Sequence, residues 1–199
     1  MSFLKSFKLA VGLVSAMMVA WAAPAISDVS VNFDGTGAPC CFAQTPPLTS
    51  FYAPQGLTFQ GVDGPGGSIL NQSGGFGFNA RSGTDFLAFF SNTGAGLVEA
   101  ISFSSIATGV SIWAASQQQG SFTIDAYDSN GILLGTSSVA ASTSWTQLSI
   151  NAANISRVQL TGKGLSDFAY DDLNVTSTTA PVPEPEIYAM MGVGLGLLG

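Results

Sequence analysis

Residues 121–138 read "SFTIDAYDSNGILLGTSS", and this stretch decides the fold. Phe122, Ile124 and Ala126 alternate with Thr123, Asp125 and Tyr127, the two-residue period of a strand with one apolar face. Asp128 to Gly131, "DSNG", supplies a turn, with Asn130-Gly131 suited to positive φ. From Leu133 the chain returns, so the stretch reads as a β-hairpin. The same pattern extends outward on both sides. Strands are predicted near Val29–Phe33, Leu57–Gln60, Asp85–Phe90, Ala100–Ser104 and Gly109–Ala114. Further strands are predicted near Ser121–Tyr127, Leu133–Val139, Thr146–Ile150, Arg157–Thr161 and Phe168–Val175. Spacings of about ten residues point to a β-sandwich or barrel. No segment of helical length separates the strands, which argues against a parallel α/β sheet. The expected fold is an all-β sandwich, flanked by an N-terminal signal-peptide helix and a C-terminal apolar tail helix.

Composition narrows the function. At 199 residues, one domain is the expectation. Charged residues make up only 9% of the chain, against the usual quarter. Between Ile26 and Pro181 the only cations are Arg81, Arg157 and Lys163, against ten carboxylates. Nucleic-acid binding needs clustered Lys and Arg, so nucleic acid is excluded as a partner. There is no histidine, which removes His-based hydrolases and His-ligated zinc. Cys40 and Cys41 are adjacent, a geometry poorly suited to a mutual disulfide. They read as loop residues, a vicinal metal or redox pair, or a bond to another chain.

The two ends read as addresses. Lys5 and Lys8 precede an uncharged apolar run, Leu9 to Trp21, and then Ala23-Pro24-Ala25, a small-x-small cleavage site. This reads as a secretory signal peptide, with cleavage by signal peptidase expected after Ala25 and Ser27 as the next choice. The run is shorter than the roughly 20 residues a spanning helix needs. At the other end "TSTTAPVPEP" is a Ser/Thr/Pro spacer, and Pro181 to Pro185 resists helix and sheet because proline fixes φ and lacks N–H. An uncharged stretch, Ile187 to Gly199, follows. Domain boundaries are therefore expected at 1–25 (signal peptide), 26–176 (β domain), 177–182 (linker) and 182–199 (tail signal).

"VPEPEIYAMMGVGLGLLG" closely resembles the PEP-CTERM sorting signal of Gram-negative bacteria. Val182, Pro183, Glu184 and Pro185 match its motif, and the Gly/Leu-rich stretch matches its membrane segment. The Arg-rich cluster of that family has no counterpart before Gly199. The resemblance implies an exosortase-type enzyme that processes the chain at this motif. It also implies a precursor held transiently in the inner membrane, then a product in the outer envelope or extracellular matrix. "FYAPQGLTFQG", "FLAFFS", "FTIDAYDSNG" and "DDLNV" resemble, over residues 29–176, extracellular domains with a carbohydrate-binding-module-like jelly roll. "YDDLNV" is similar to the closing strand of calcium-containing modules of that kind, where the pattern carries a metal ligand.

The chemistry centres on that last strand. Strict alternation puts Ala169, Asp171, Leu173 and Val175 on one side and Phe168, Tyr170, Asp172 and Asn174 on the other. If Leu173 and Val175 face the core, so does Asp171, and an inward carboxylate needs a partner. Calcium, Arg157 or Lys163, and loop N–H groups are the three candidates. For structural Ca²⁺ the jelly-roll resemblance makes Asp34 the second ligand. Asp172 is a weaker one, because its phase points outward. Asp125, Asp128, Asp167, Asp171 and Asp172 offer carboxylates for catalysis in principle, but aspartates beside turns mostly serve turn geometry. Ser and Thr are abundant but have no evident activating base. The chain is read as a noncatalytic surface or matrix protein. The alternative is a carbohydrate-binding module that uses an aromatic among Trp113, Trp145, Tyr52, Tyr127 and Tyr170, with exopolysaccharide as partner. Trp113 and Trp145 also suit core positions. The Gly-dense segment 61–83 lacks the helix and Lys of a phosphate loop. It is expected to be a surface loop with one short strand near Ser68–Leu70. The Thr residues are too scattered for an ice-binding array.

Overall fold

The structure, a computed structural model, describes residues 28–38, 48–61, 64–66, 68–71, 77–88, 98–165 and 168–177. The signal peptide, Cys40, Cys41, the linker, Val182–Pro185 and the apolar tail lie outside the described residues.

The hairpin forms as its pattern requires. In β7 (Ser121–Tyr127) Phe122, Ile124 and Ala126 are fully buried, while the intervening side chains are half exposed. β8 (Leu133–Ala140) pairs with it antiparallel, from Ser121↔Ala140 to Tyr127↔Leu133. Asp128 closes the turn by accepting the N–H of Asn130 at 2.9 Å and of Ile132 at 2.8 Å on Oδ1. These bonds, that of Ile132 first, hold its carboxyl below the usual range. Gly131 alone of the Asn-Gly pair takes positive φ, at 81°.

Eight more strands complete the all-β fold: β1 (Val29–Val31), β2 (Leu57–Gly61), β3 (Gly64–Pro65), β4 (Ser68–Asn71), β5 (Asp85–Ala88), β6 (Val98–Ala115), β9 (Thr146–Lys163) and β10 (Ala169–Ser177). Every pairing is antiparallel. β6 and β9 are 18 residues each, where alternation predicted two strands apiece. Their mutual register shifts between Ser102 and Ala107 and again before Gly109, and Asn154 takes φ 67°. Such irregularities bend a strand without ending it, and their small polar residues mimic a loop in the sequence.

The bends let the long β6–β9 pair serve two layers. The second half of β9 and the first half of β6 join β7, β8, β2 and β3. The first half of β9 and the second half of β6 join β10, whose far edge takes β5 (with β4) and β1. The layers face each other over one core, in which Phe122, Ile124, Val158 and Leu160 meet Ile112, Leu148, Ile150, Tyr170 and Leu173. A Cβ on Gly135 of β8 would sit 3.4 Å from the Ile150 side chain of β9 in the opposite layer.

Strict alternation fails in β10. Asp171 opposes Trp113 but Asn174 opposes Ser111, so β10 carries one extra residue, and Asp172 takes φ 47°. The bulge reverses the predicted phase. Tyr170 shares the core with Leu173 and Val175, whereas Ala169 lies with Phe86 and Ala88 in a second small cluster. Asp171 thus points away from the main core, not into it, and is nonetheless 0% exposed.

Candidate functional site

The β10 bulge lies where its far edge changes partner. β5 pairs with Ala169 and Tyr170, and β1 pairs with Leu173 to Val175. The segment leaving β1 and the segment entering β5 therefore meet at Asp171 and Asp172. Asp171 Oδ2 accepts the backbone N–H of Arg81 at 2.8 Å and of Ser82 at 3.1 Å, and its Oδ1 accepts that of Asp172 at 2.8 Å. Asp172 accepts the Ser82 hydroxyl at 2.7 Å and pairs with the Arg81 guanidinium. From the other side Asp34 Oδ1 accepts the N–H of Thr84 at 2.8 Å and of Asp85 at 3.0 Å. Between these anchors Gly83 has φ 54°, and a Cβ there would overlap the Asp34 carboxylate. Asp34 and Asp171, the predicted metal ligands, are brought together, with Asp172, as two ends of a clamp on residues 81–85.

Of the three partners weighed for Asp171, loop N–H groups are the ones it has. Burial raises its carboxyl to about 6, although the N–H bonds pull the other way. Arg157 instead stacks on Tyr127, 4.1 Å from the ring centroid. Both oxygens of Asp171 and one of Asp34 accept backbone N–H groups, the arrangement weighed as the alternative to calcium. Among the described residues no group of three His, Cys, Asp or Glu side chains gathers to hold a metal.

The clamp fixes one end of a strap, residues 77–85, laid on the outer face of the second layer. Its other end rests on Trp145, whose Nε1–H donates to the Asn79 carbonyl at 3.0 Å and whose ring meets Phe78 edge-on. The Arg81 guanidinium lies 3.9 Å from the centroid of Trp113. Beyond Trp113 the face becomes wholly polar. Cross-strand register aligns Asn174 of β10 with Ser111 of β6 and Ser149 of β9, and in the next row Thr176 with Gly109 and Asn151. Gly109 has no side chain, so the face dips there. A shallow trough of about 220 Å³ results, with Gln147 on its wall toward Trp113.

The predicted aromatics separate cleanly. Tyr52 packs in the core against Phe33 and Phe59, and Tyr170 against Phe122 and Phe168. Trp145 is half-buried under the strap. Trp113 and Tyr127 also sit on outer faces, each with an arginine over its ring. Sequence reading missed the trough residues altogether. Their one signal is the polar half of each alternating strand, and a sequence does not say which strands are neighbours.

No protein-family model matches the chain, and no curated sequence does. Among solved structures it is similar to the K2 cleaved adhesin domain of Lys-gingipain, with TM-score 0.50 and 13% identity over 76% of this chain and 98% of that one. It is also similar to the CBM22-1 xylan-binding domain of Paenibacillus barcinonensis Xyn10C, with TM-score 0.41 and 13% identity over 79% of this chain and 100% of that one. The CBM61 structure in complex with β-1,4-galactotriose gives TM-score 0.40 and 14% identity over 56% of this chain and 82% of that one. At such identities the likeness is one of fold.

Proposed function

We propose that the described domain is a noncatalytic, jelly-roll-like module that binds a neutral polysaccharide along the β10–β6–β9 face. The observation that carries this reading is the trough itself. Apart from Val110, which is buried, its lining side chains are amides and hydroxyls from three adjacent strands, with no charge among them. Amide and hydroxyl groups exchange hydrogen bonds with sugar hydroxyls on equal terms with water, so each contact is worth about 1 kcal/mol net. The side chains of this face, rather than the fold likeness, support the reading. A glycan array with the exported protein tests it, followed by titration of the best ligand. Asn151→Ala with Asn174→Ala removes two contacts and should weaken binding by about 30-fold. Unchanged affinity would place the ligand elsewhere.

We further propose that signal peptidase cleaves after Ala25 and that an exosortase-type enzyme processes the precursor at Val182, Pro183, Glu184 and Pro185. The module is then released from the inner membrane to the outer envelope or matrix. The motif and its adjoining apolar stretch support this. Mass spectrometry of both termini of the exported form is the test, and an intact C-terminus in the matrix fraction refutes it.

A further inference from the structure

The sandwich has unequal edges. One edge of the first layer is β3, two residues long and carrying Pro65, which has no N–H to offer. The opposite edge is β8, eight residues long, which pairs only with β7 among the described residues. Monomeric proteins blunt such edges by brevity, proline or charge, lysine above all. β8 reads "LLGTSSVA" and has none of these; its one irregularity is an extra residue, Leu134, near one end, and Gly135 to Ala140 pair regularly. On the same side of the sandwich, the second layer ends in the first half of β9, which pairs only with β6 among the described residues. Both edges belong to a stretch, Ser129 to Ser156, without a single charged residue. At one end of β8, Ile132 and Leu133 are 60% and 52% exposed.

The chain as a whole carries a formal net charge of −7. Two copies therefore repel over most approaches, and a twofold contact sets the same surface patch of both copies face to face. The β8 side is an edge at which two copies can approach without opposing like charges. The nearest acids, Asp125 and Asp128, lie on β7 and in the turn, where they accept hydrogen bonds from Thr136 and from Asn130 and Ile132. We propose that β8 pairs antiparallel with β8 of a second copy across a twofold axis, which continues the first layer through the dimer. Antiparallel pairing of a strand with itself is self-complementary. It brings the apolar Ile132–Leu133 end of one β8 beside the Val139–Ala140 end of the other. A dimer so formed presents two troughs.

Sedimentation equilibrium of the exported protein tests this. A concentration-dependent dimer is expected. The double variant Leu133→Lys, Ala140→Lys places a cation at both ends of β8, so an antiparallel pair opposes like charges. It should weaken association about tenfold or more. Both positions are exposed, so the melting temperature should hold; if the double variant melts early, Ala140→Lys alone is compared. A wild-type chain that stays monomeric at on the order of 100 µM overturns the proposal. So does a folded variant that dimerises as tightly as wild type.

Discussion

Gly83→Ala probes the clamp most directly. Two separate effects are expected. Alanine at φ 54° carries left-handed strain of about 1 kcal/mol. Its Cβ also occupies the place of the Asp34 carboxylate, which must swing out and release the N–H groups of Thr84 and Asp85. A backbone N–H bond to a carboxylate is worth about 1.5 kcal/mol at the lower end, which suits a half-exposed aspartate. Two such bonds plus strain give a destabilisation of about 4 kcal/mol, a large part of a domain's usual 5–15. Asp34→Ala removes the same two bonds and should lose about 3 kcal/mol. In that background the carboxylate is already gone, so Gly83→Ala should lose only the strain, about 1 kcal/mol. The two substitutions are therefore strongly non-additive, with a coupling of about 3 kcal/mol. Urea unfolding of the wild type, both single variants and the double variant measures it. Additivity within about 0.5 kcal/mol would refute the clamp.

Two further predictions concern the same region. Asp171 has its folded-state carboxyl raised from 3.8 to about 6, so the folded domain binds its proton more tightly than the unfolded chain. Its contribution to stability is greatest below 3.8, declines as pH rises toward about 6, and is flat above that. The stability of wild type relative to Asp171→Asn should fall across that window, as read by urea unfolding at a series of pH values. A chelator should leave the melting temperature unchanged, because N–H donors already satisfy Asp171 and Asp34. A clear drop restored by Ca²⁺ would assign a metal to the clamp instead.

The hairpin at residues 121–140 was legible because two local signals agree there, strict alternation and an Asp-Ser-Asn-Gly turn. β6 and β9 were legible only as halves. The small polar residues that let a strand bend between layers look the same, in sequence, as those that end one. Asp171 shows a subtler failure. Its need for a partner was correctly read, but the direction it faces was not, because one extra residue at Asp172 reverses every side chain before it relative to those after it. Buried acids at Asp85 and Glu99 gave no local signal. The trough depends on Asn174, Ser111 and Ser149 lying in one row, a fact of topology rather than of any segment.

The place of β10 has a consequence for how the domain comes into being. A polypeptide emerges from its N-terminus, and β10 emerges last, yet it lies between β6 on one side and β5 and β1 on the other. Until residues 169–177 arrive, β1 has no pairing partner among the described strands and β5 has only β4. The clamp on the strap is then also missing, because Asp171 and Asp172 belong to that last strand. The hairpin β7–β8 can form early from local contacts; β6 and β9 pair only after that hairpin has been made between them, and closure of the second layer joins Val29 to Val175 across almost the entire domain. Such long-range closure is slow. The nascent domain thus stays open along its centre until its final strand enters, and it becomes one body in a single late step.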